Sequence, residues 1–228
     1  MSIDDEVRKA KLEEYNDGDL YHDDIELYKV IMLGDSGSGK TSIVQQYVLN
    51  KFYERESNTI GVSYLTKKLL NTKTKNMAKL CIWDTAGQDR FFSIVKMYFK
   101  FARGICCVYD ITRPNTLKNC ERWIEEAMKS LPNYPDHNPI PITLIGNKID
   151  LKKSGQFNTL NDISCIRTIL ELEKKYNLKH FTCSAKTGEN IKEAIEYLVW
   201  NMEPNVVKNE FLKSTNIKVG QTSTCNCY

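Results

Sequence analysis

Long apolar runs are missing from this chain of 228 residues. The longest, such as "GICCVY" at 104–109, fall far short of the roughly 20 residues that a membrane-spanning helix needs. The first stretch, "MSIDDEVRKAKLEEY", lacks the apolar centre of a secretory leader, so the protein is expected to be made and to stay on the cytosolic side. Paired cysteine spacing is also absent, although the chain holds eight cysteines. Cys106 and Cys107 are adjacent within an apolar run, and Cys81, Cys120, Cys165 and Cys183 follow no framework, which points to buried, reduced thiols. No basic block is interleaved with aromatic residues, which excludes a recognisable nucleic-acid-binding pattern. No internal repeat is present.

Charge is unevenly spread. The formal net charge is only +3, yet Met1–Glu26 holds ten acidic and three basic residues, leaving about +10 on the remainder. Residues 1–26 are expected to form a disordered acidic extension. Short apolar runs then recur as "LYKVIML", "AKLCIWD", "GICCVYD" and "PITLIGN", each closing on polar residues and followed by a stretch of helical periodicity. Alternating strands and helices imply an α/β domain built on a parallel sheet covered on both faces. The last helix is the clearest, with Ile191, Ala194, Ile195, Leu198 and Val199 on one stripe and Pro204 beyond it. The domain is expected over 27–203, and 204–228 reads as a flexible polar tail.

The run "GDSGSGKTS", Gly34 to Ser42, matches G-x-x-x-x-G-K-[ST] between a strand and a helix. Its glycines let successive backbone N–H groups around Ser36, Gly37, Ser38 and Gly39 cup phosphate oxygens, and the helix N-terminus adds partial positive charge. Lys40 is placed to bridge the β- and γ-phosphates, Thr41 to offer its hydroxyl to Mg²⁺, and Ser42 either to touch the α-phosphate or to lie on the helix surface. In "WDTAGQ", 83–88, Asp84 can hold a Mg²⁺ water, Gly87 leaves its N–H open to a γ-phosphate, and Gln88 can orient the attacking water. These are the catalytic candidate and the metal candidates.

Two further runs address the base. In "GNKID", 146–150, Asp150 can accept from both the ring N–H and the exocyclic amine of guanine, a pattern that adenine cannot supply. Asn147 would brace the loops, and Lys148 would lie along the base or ribose. In "SAK", Ser184 to Lys186, the Ala185 N–H can reach the guanine carbonyl. A phosphate loop alone would also suit a kinase or an ATPase, but these two runs favour GTP or GDP.

Together these motifs resemble a small GTPase of the Ras superfamily and, within it, the Rab family, over roughly Leu27 to Met202. The resemblance rests on "GDSG-GKTS", a threonine preceding "IGV", "WDTAGQ" followed by "RF", "VYDIT", "NKIDL" and "SAKTG". It implies a six-stranded, mostly parallel sheet flanked by helices, with GTP and Mg²⁺ at the carboxyl ends of the strands. By position, Phe52 would stack on guanine and Thr59 would bind Mg²⁺ and the γ-phosphate in the GTP state alone; without the resemblance both read as ordinary core and loop residues. Tyr64, Trp83 and Tyr98 would form an aromatic effector patch, a role that competes with simple core packing. The chain departs from the Rab pattern at Ser63, Tyr64, Asp89 and Phe101.

The ending "TCNCY" sets Cys225 and Cys227 in the polar tail, close to the C-x-C endings of Rab proteins with one residue added. Both are therefore expected to carry prenyl groups, with lipid supplying most of the membrane affinity because Lys208, Lys213 and Lys218 are sparse. The implied protein is a monomeric Rab-like switch that slowly hydrolyses GTP and regulates vesicle traffic. It would sit on the cytoplasmic side of endomembranes, with a cytosolic pool. Its partners would be an exchange factor, effectors, a prenyl-tail carrier and an activating protein, the last supplying the arginine that the sequence does not place in cis. The alternatives are a Ras-like signalling GTPase and a GTP-binding scaffold with little hydrolysis.

Overall fold

The computed structural model describes residues 26–54, 59, 61–70, 77–87, 98–99, 102–131, 140–154 and 162–202. Residues 1–25 of the acidic extension, the tail with Cys225 and Cys227, and Gln88 lie outside the described residues, whereas Glu26, expected to close the extension, opens the first strand.

Six strands form one sheet: β1 (Glu26–Leu33), β2 (Val62–Leu70), β3 (Met77–Thr85), β4 (Gly104–Asp110), β5 (Ile142–Asn147) and β6 (Lys179–Thr182). Their spatial order is β2-β3-β1-β4-β5-β6. All neighbours run parallel except β2, which pairs antiparallel with β3 from Val62 opposite Thr85 to Leu70 opposite Met77. Among the described residues there are four α-helices, α1 (Lys40–Leu49), α2 (Pro114–Ser130), α3 (Ile163–Tyr176) and α4 (Ile191–Trp200), and a 3₁₀ turn at Ile149–Ser154.

The period of two along a strand divides the core. Tyr28, Val30 and Met32 of β1 join Cys106 and Val108 of β4 against α1 and α4. Ile31 and Leu33 join Ile105, Cys107 and Tyr109 against α2 and α3. Because β4 lies centrally with both faces covered, every one of its residues is buried, which is why "GICCVYD" reads as a continuous apolar run and not as an alternation.

Helix boundaries follow from local chemistry. Pro114 occupies the first turn of α2, where a missing N–H costs nothing. The Asp162 carboxylate caps α3 by accepting from the Ser164 and Cys165 N–H groups. The stripe expected on α4 is the set of residues it buries: Ile191, Ala194, Ile195, Leu198 and Val199.

The sheet therefore has the expected composition and direction. The residue pattern did not mark β2, an edge strand with Lys67 and Lys68 in "VSYLTKKLL" and therefore without a clean two-residue alternation. The six described cysteines are free; five are buried, whereas Cys81 is only partly so.

Beneath the β4–β5–β6 end of the sheet, the Tyr109 hydroxyl lies 2.9 Å from His180 Nε2, with the two rings stacked at a centroid separation of 5.9 Å. Burial pushes the His180 imidazole down to about 4, against the opposing pull of Glu173. Since the folded value lies below the unfolded one, the unfolded chain takes up this proton first, and stability is lost as pH falls from about 6.5 toward 4. The variant His180→Gln should lose about 2 kcal/mol less than the parent across that window, measured as the difference between urea-unfolding free energies at its two ends.

Candidate functional site

At the carboxyl ends of the parallel strands the chain turns five times toward one place, and a cleft of about 480 Å³ opens there. Ser36, Gly37, Gly39, Lys40, Thr41 and Ser42 reach it from the β1–α1 turn, Phe52 and Thr59 from beyond α1, and Gly87 from the end of β3. Asn147, Lys148 and Asp150 enter after β5, and Ala185 and Lys186 after β6. Fourteen of the residues expected from the sequence to hold the nucleotide thus line one cavity.

The two exceptions act from behind it. Ser38 is fully buried and does not line the cleft; its carbonyl accepts from Asn147 Nδ2 at 2.9 Å. Ser184 is also fully buried. Its hydroxyl donates to Asp150 Oδ1 at 2.6 Å and accepts from the Thr187 N–H at 3.1 Å, so it orients the carboxylate.

The phosphate end is shaped for an anion. Lys40 Nζ donates to the Gly34 carbonyl at 2.8 Å and to the Asp35 carbonyl at 3.0 Å. Burial lowers its pKa, with Asp84 and Asp35 opposing that shift, and a negative ligand beside it would further favour the charged form. A Cβ on Gly87 would come within 2.5 Å of both Lys40 Nζ and the Ser36 nitrogen. Only glycine leaves that space open.

Beside it three oxygen ligands converge. Thr41 Oγ1 donates to Asp84 Oδ2 at 2.6 Å and lies 2.8 Å from Thr59 Oγ1, which is itself 3.4 Å from Asp84 Oδ2. Two hydroxyls and one carboxylate suit a hard cation such as Mg²⁺, whose remaining ligands would come from water and phosphate. No group of three or more His, Cys, Asp and Glu side chains able to hold a metal occurs among the described residues.

The base end is braced by Asn147. Its Oδ1 accepts from the Ala185 N–H at 3.0 Å while its amide donates to Ser38, so one buried side chain joins three loops. A guanine carbonyl at Ala185 would have to share that donor. Lys148, in the left-handed region at φ 74°, sets its Nζ 2.7 Å from Asp110 Oδ2. Phe52 packs partly against the α1–α4 core and lines the cleft with the rest of its ring.

The Ras family's sequence profile matches residues 29–203. The chain is 35% identical over 213 residues to Ras-related protein Rab7 of Drosophila melanogaster, covering 88% of this chain and 97% of that one. It is 34% identical over 194 residues to Ras-related protein Rab-32A of Dictyostelium discoideum, covering 84% and 83%. With GTP-binding protein YPT53 of Saccharomyces cerevisiae it shares 36% over 170 residues, covering 75% and 74%. The chain belongs to the Ras family. It is a small GTPase of Rab type, a GTP hydrolase that binds GTP and GDP, and membership implies encounters with exchange factors, activating proteins and effectors.

Away from the cleft of this GTPase, Tyr64 and Trp83 stack with centroids 5.3 Å apart, and Trp83 meets Tyr98 at 5.2 Å. Tyr64 is 49% exposed, whereas Trp83 also packs against the α2–α3 core and carries Lys29 Nζ 4.4 Å from its ring centre. The three expected patch residues are therefore contiguous, with Tyr64 outermost.

Sequence reasoning missed several residues. Tyr53, Glu54 and Leu151 line the cleft, and Glu54 Oε1 meets Lys186 Nζ at 3.1 Å across its mouth. Asp35 accepts from Trp123 Nε1 at 2.8 Å and from Asn119 Nδ2 at 2.7 Å, tying the phosphate loop to α2. Asp110 anchors Lys148. Asp35, Asp110 and Leu151 each lie within a quoted motif, "GDSGSGKTS", "VYDIT" and "NKIDL", whereas Tyr53 and Glu54 lie in none.

Asn147→Ala should leave the buried Ser38 carbonyl and Ala185 N–H without a side-chain partner. The expected loss is about 2–4 kcal/mol of folding stability, read by urea denaturation at a fixed GDP concentration.

Proposed function

We propose that this GTPase is a Rab-like switch whose GTP state presents the surface around Tyr64 to effectors and whose slow hydrolysis withdraws it, in the service of vesicle and membrane traffic. The observation that carries this reading is the register of β2 on β3. Ser63 pairs with Asp84, and Tyr64 with Trp83. One rung of the sheet therefore separates the cation-side carboxylate from the aromatic patch. Ordering of Thr59 over Mg²⁺ and a γ-phosphate would be felt by Tyr64 through a short, stiff path.

In this reading the backbone of Ser36, Gly37, Ser38 and Gly39, with Lys40 and Ser42, cradles the phosphates. Thr41, Thr59 and, through water, Asp84 hold Mg²⁺, which when bound neutralises phosphate charge. Gly87 admits the γ-phosphate. Gln88, outside the described residues, orients the attacking water, and an activating protein adds an arginine. Asp150, steered by Ser184, reads guanine; Ala185 shares its N–H with the guanine carbonyl, and Phe52, Lys148 and Lys186 flank the base. Asp150→Asn should cut GTP affinity by about 30-fold or more, since a charge-assisted pair is lost, and should favour xanthosine triphosphate. Equal affinities of the parent and the variant for GTP, measured by displacement of a fluorescent nucleotide, would remove the base assignment.

Among the described residues no helix is long and apolar enough to cross a membrane. Attachment is proposed through prenyl groups on Cys225 and Cys227. One chain binds only marginally and two bind firmly, so the monomer would sit on the cytoplasmic side of endomembranes and a prenyl-tail carrier would be needed to maintain its cytosolic pool. The experiment is fractionation of cells expressing the full chain. Changing Cys225 and Cys227 to Ser should move it from membrane to soluble fractions with GTP binding intact, whereas Tyr64→Ala should leave it on membranes and lower GTP-dependent partner capture. Membrane association unaffected by the double change would overturn the lipid anchor.

A further inference from the structure

We propose that Arg113 is a positioning residue for GTP hydrolysis: from behind the phosphate loop its guanidinium holds the Ser36–Gly37 peptide so that the Gly37 N–H is turned into the cleft. The inference rests on the reading that this loop receives the nucleotide's phosphates, and adds to it a residue that belongs to none of the motifs' phosphate-binding positions.

Arg113 is the residue just before α2, in extended conformation at φ −129°. Its Nε donates to Asp110 Oδ2 at 3.0 Å, and a terminal guanidinium nitrogen donates to the Ser36 carbonyl at 3.2 Å. The carboxylate that holds it is itself locked. Asp110 is almost fully buried; its Oδ1 takes the Thr112 N–H at 2.9 Å and the Thr112 hydroxyl at 2.7 Å, and Oδ2 also takes Lys148 Nζ. Burial opposes ionisation of Asp110, but the hydrogen bonds from Lys148 and Thr112 outweigh it and keep the group charged. A fixed anion thus aims a fixed cation at one carbonyl of the phosphate loop.

The direction of that carbonyl decides the direction of its neighbour. No cis peptide bond occurs among the described residues, and in a trans peptide the C=O and the following N–H point to opposite sides. Ser36 and Gly37 line the cleft and Arg113 does not, so a Ser36 C=O turned toward Arg113 turns the Gly37 N–H toward the cleft. Gly37 itself permits the arrangement. It sits at φ +73°, and a Cβ there would come within 3.3 Å of the guanidinium, so the planar cation rests against bare backbone. A cation on the carbonyl also polarises the peptide and strengthens its N–H as a donor.

A pinned donor helps most when negative charge grows on the phosphate oxygens, so the effect belongs more to turnover than to binding. Removing a whole donor of this kind costs about 100-fold or more. Releasing one that stays in place should cost less, on the order of 5- to 10-fold. Because half of the Arg113 side chain is exposed, at 47%, its ion pair should matter little to global stability.

The test uses the full chain loaded with GTP and a single-turnover readout of phosphate release. Arg113→Gln should slow hydrolysis by about 5- to 10-fold, change GTP affinity by less than about 3-fold, and leave the melting temperature nearly unchanged. Arg113→Lys should recover part of the rate, since an ammonium can still meet the Ser36 carbonyl. An unchanged rate in Arg113→Gln would overturn the proposal, as would a slowed rate accompanied by a large fall in melting temperature and no recovery in Arg113→Lys. If Arg113→Gln does not fold, Arg113→Lys decides alone: parental turnover would overturn the proposal, and a reduced rate at parental GTP affinity would support it. Lys40→Ala, measured alongside, separates the two readings. Retained GTP affinity there would remove the phosphate-loop assignment itself, whereas lost affinity with normal turnover in Arg113→Gln would remove only the role of Arg113.

Discussion

Everything at the carboxyl edge of the sheet depends on how the loops there are held to one another, and the Asn147 side chain does most of that holding. It donates to Ser38 and accepts from Ala185, so the phosphate loop, the end of β5 and the turn after β6 share one buried amide. Each loop leaves a different strand and could drift independently. A nucleotide, however, must meet phosphate donors and base acceptors at once, and misplacement by about an ångström at one end weakens contacts at the other. Joining the loops through a desolvated amide makes their relative placement part of the fold, because parting them would strand buried donors and acceptors.

The apolar layers serve the same end. Alternate residues of β1 and β4 commit one face of the sheet to α1 and α4 and the other to α2 and α3, so the strand ends are fixed from both sides. The polar staples then attach to rigid elements. Asp35 reaches Trp123 and Asn119 on α2, Asp110 links the approach to α2 with Lys148 after β5, and Ser184 steers Asp150. The site is built from loops, but each loop is tied to a helix or a strand.

Much of this was legible in the residues. The phosphate loop is recognisable because phosphate cradling demands glycines and a lysine at set spacing, and those demands are local. Four of the parallel strands stood out as short apolar runs because buried strands need them. The antiparallel β2 did not stand out, since an edge strand with Lys67 and Lys68 has only one partner and little alternation. Phe52 and Thr59 were named only through family resemblance, because a lone aromatic and a lone threonine carry no pattern. Arg113 was passed over: in sequence it is merely the residue before Pro114, 77 positions from the Ser36 carbonyl it meets.

The sequence by itself determined the chemistry on offer, namely groups that would suit a phosphate, a guanine and, at Thr41 and Asp84, a hard cation, together with an alternating β/α order, because these depend on residue type and near spacing. The tertiary structure alone decided which groups share partners: that Asn147 spans three loops, that Ser38 and Ser184 work from behind the cleft, that Glu54 meets Lys186 across its mouth, and that Asp110 holds both Lys148 and Arg113. Those pairings join residues up to 132 positions apart. They follow from strand order and helix placement, which the packing of two apolar layers sets and which no local pattern records.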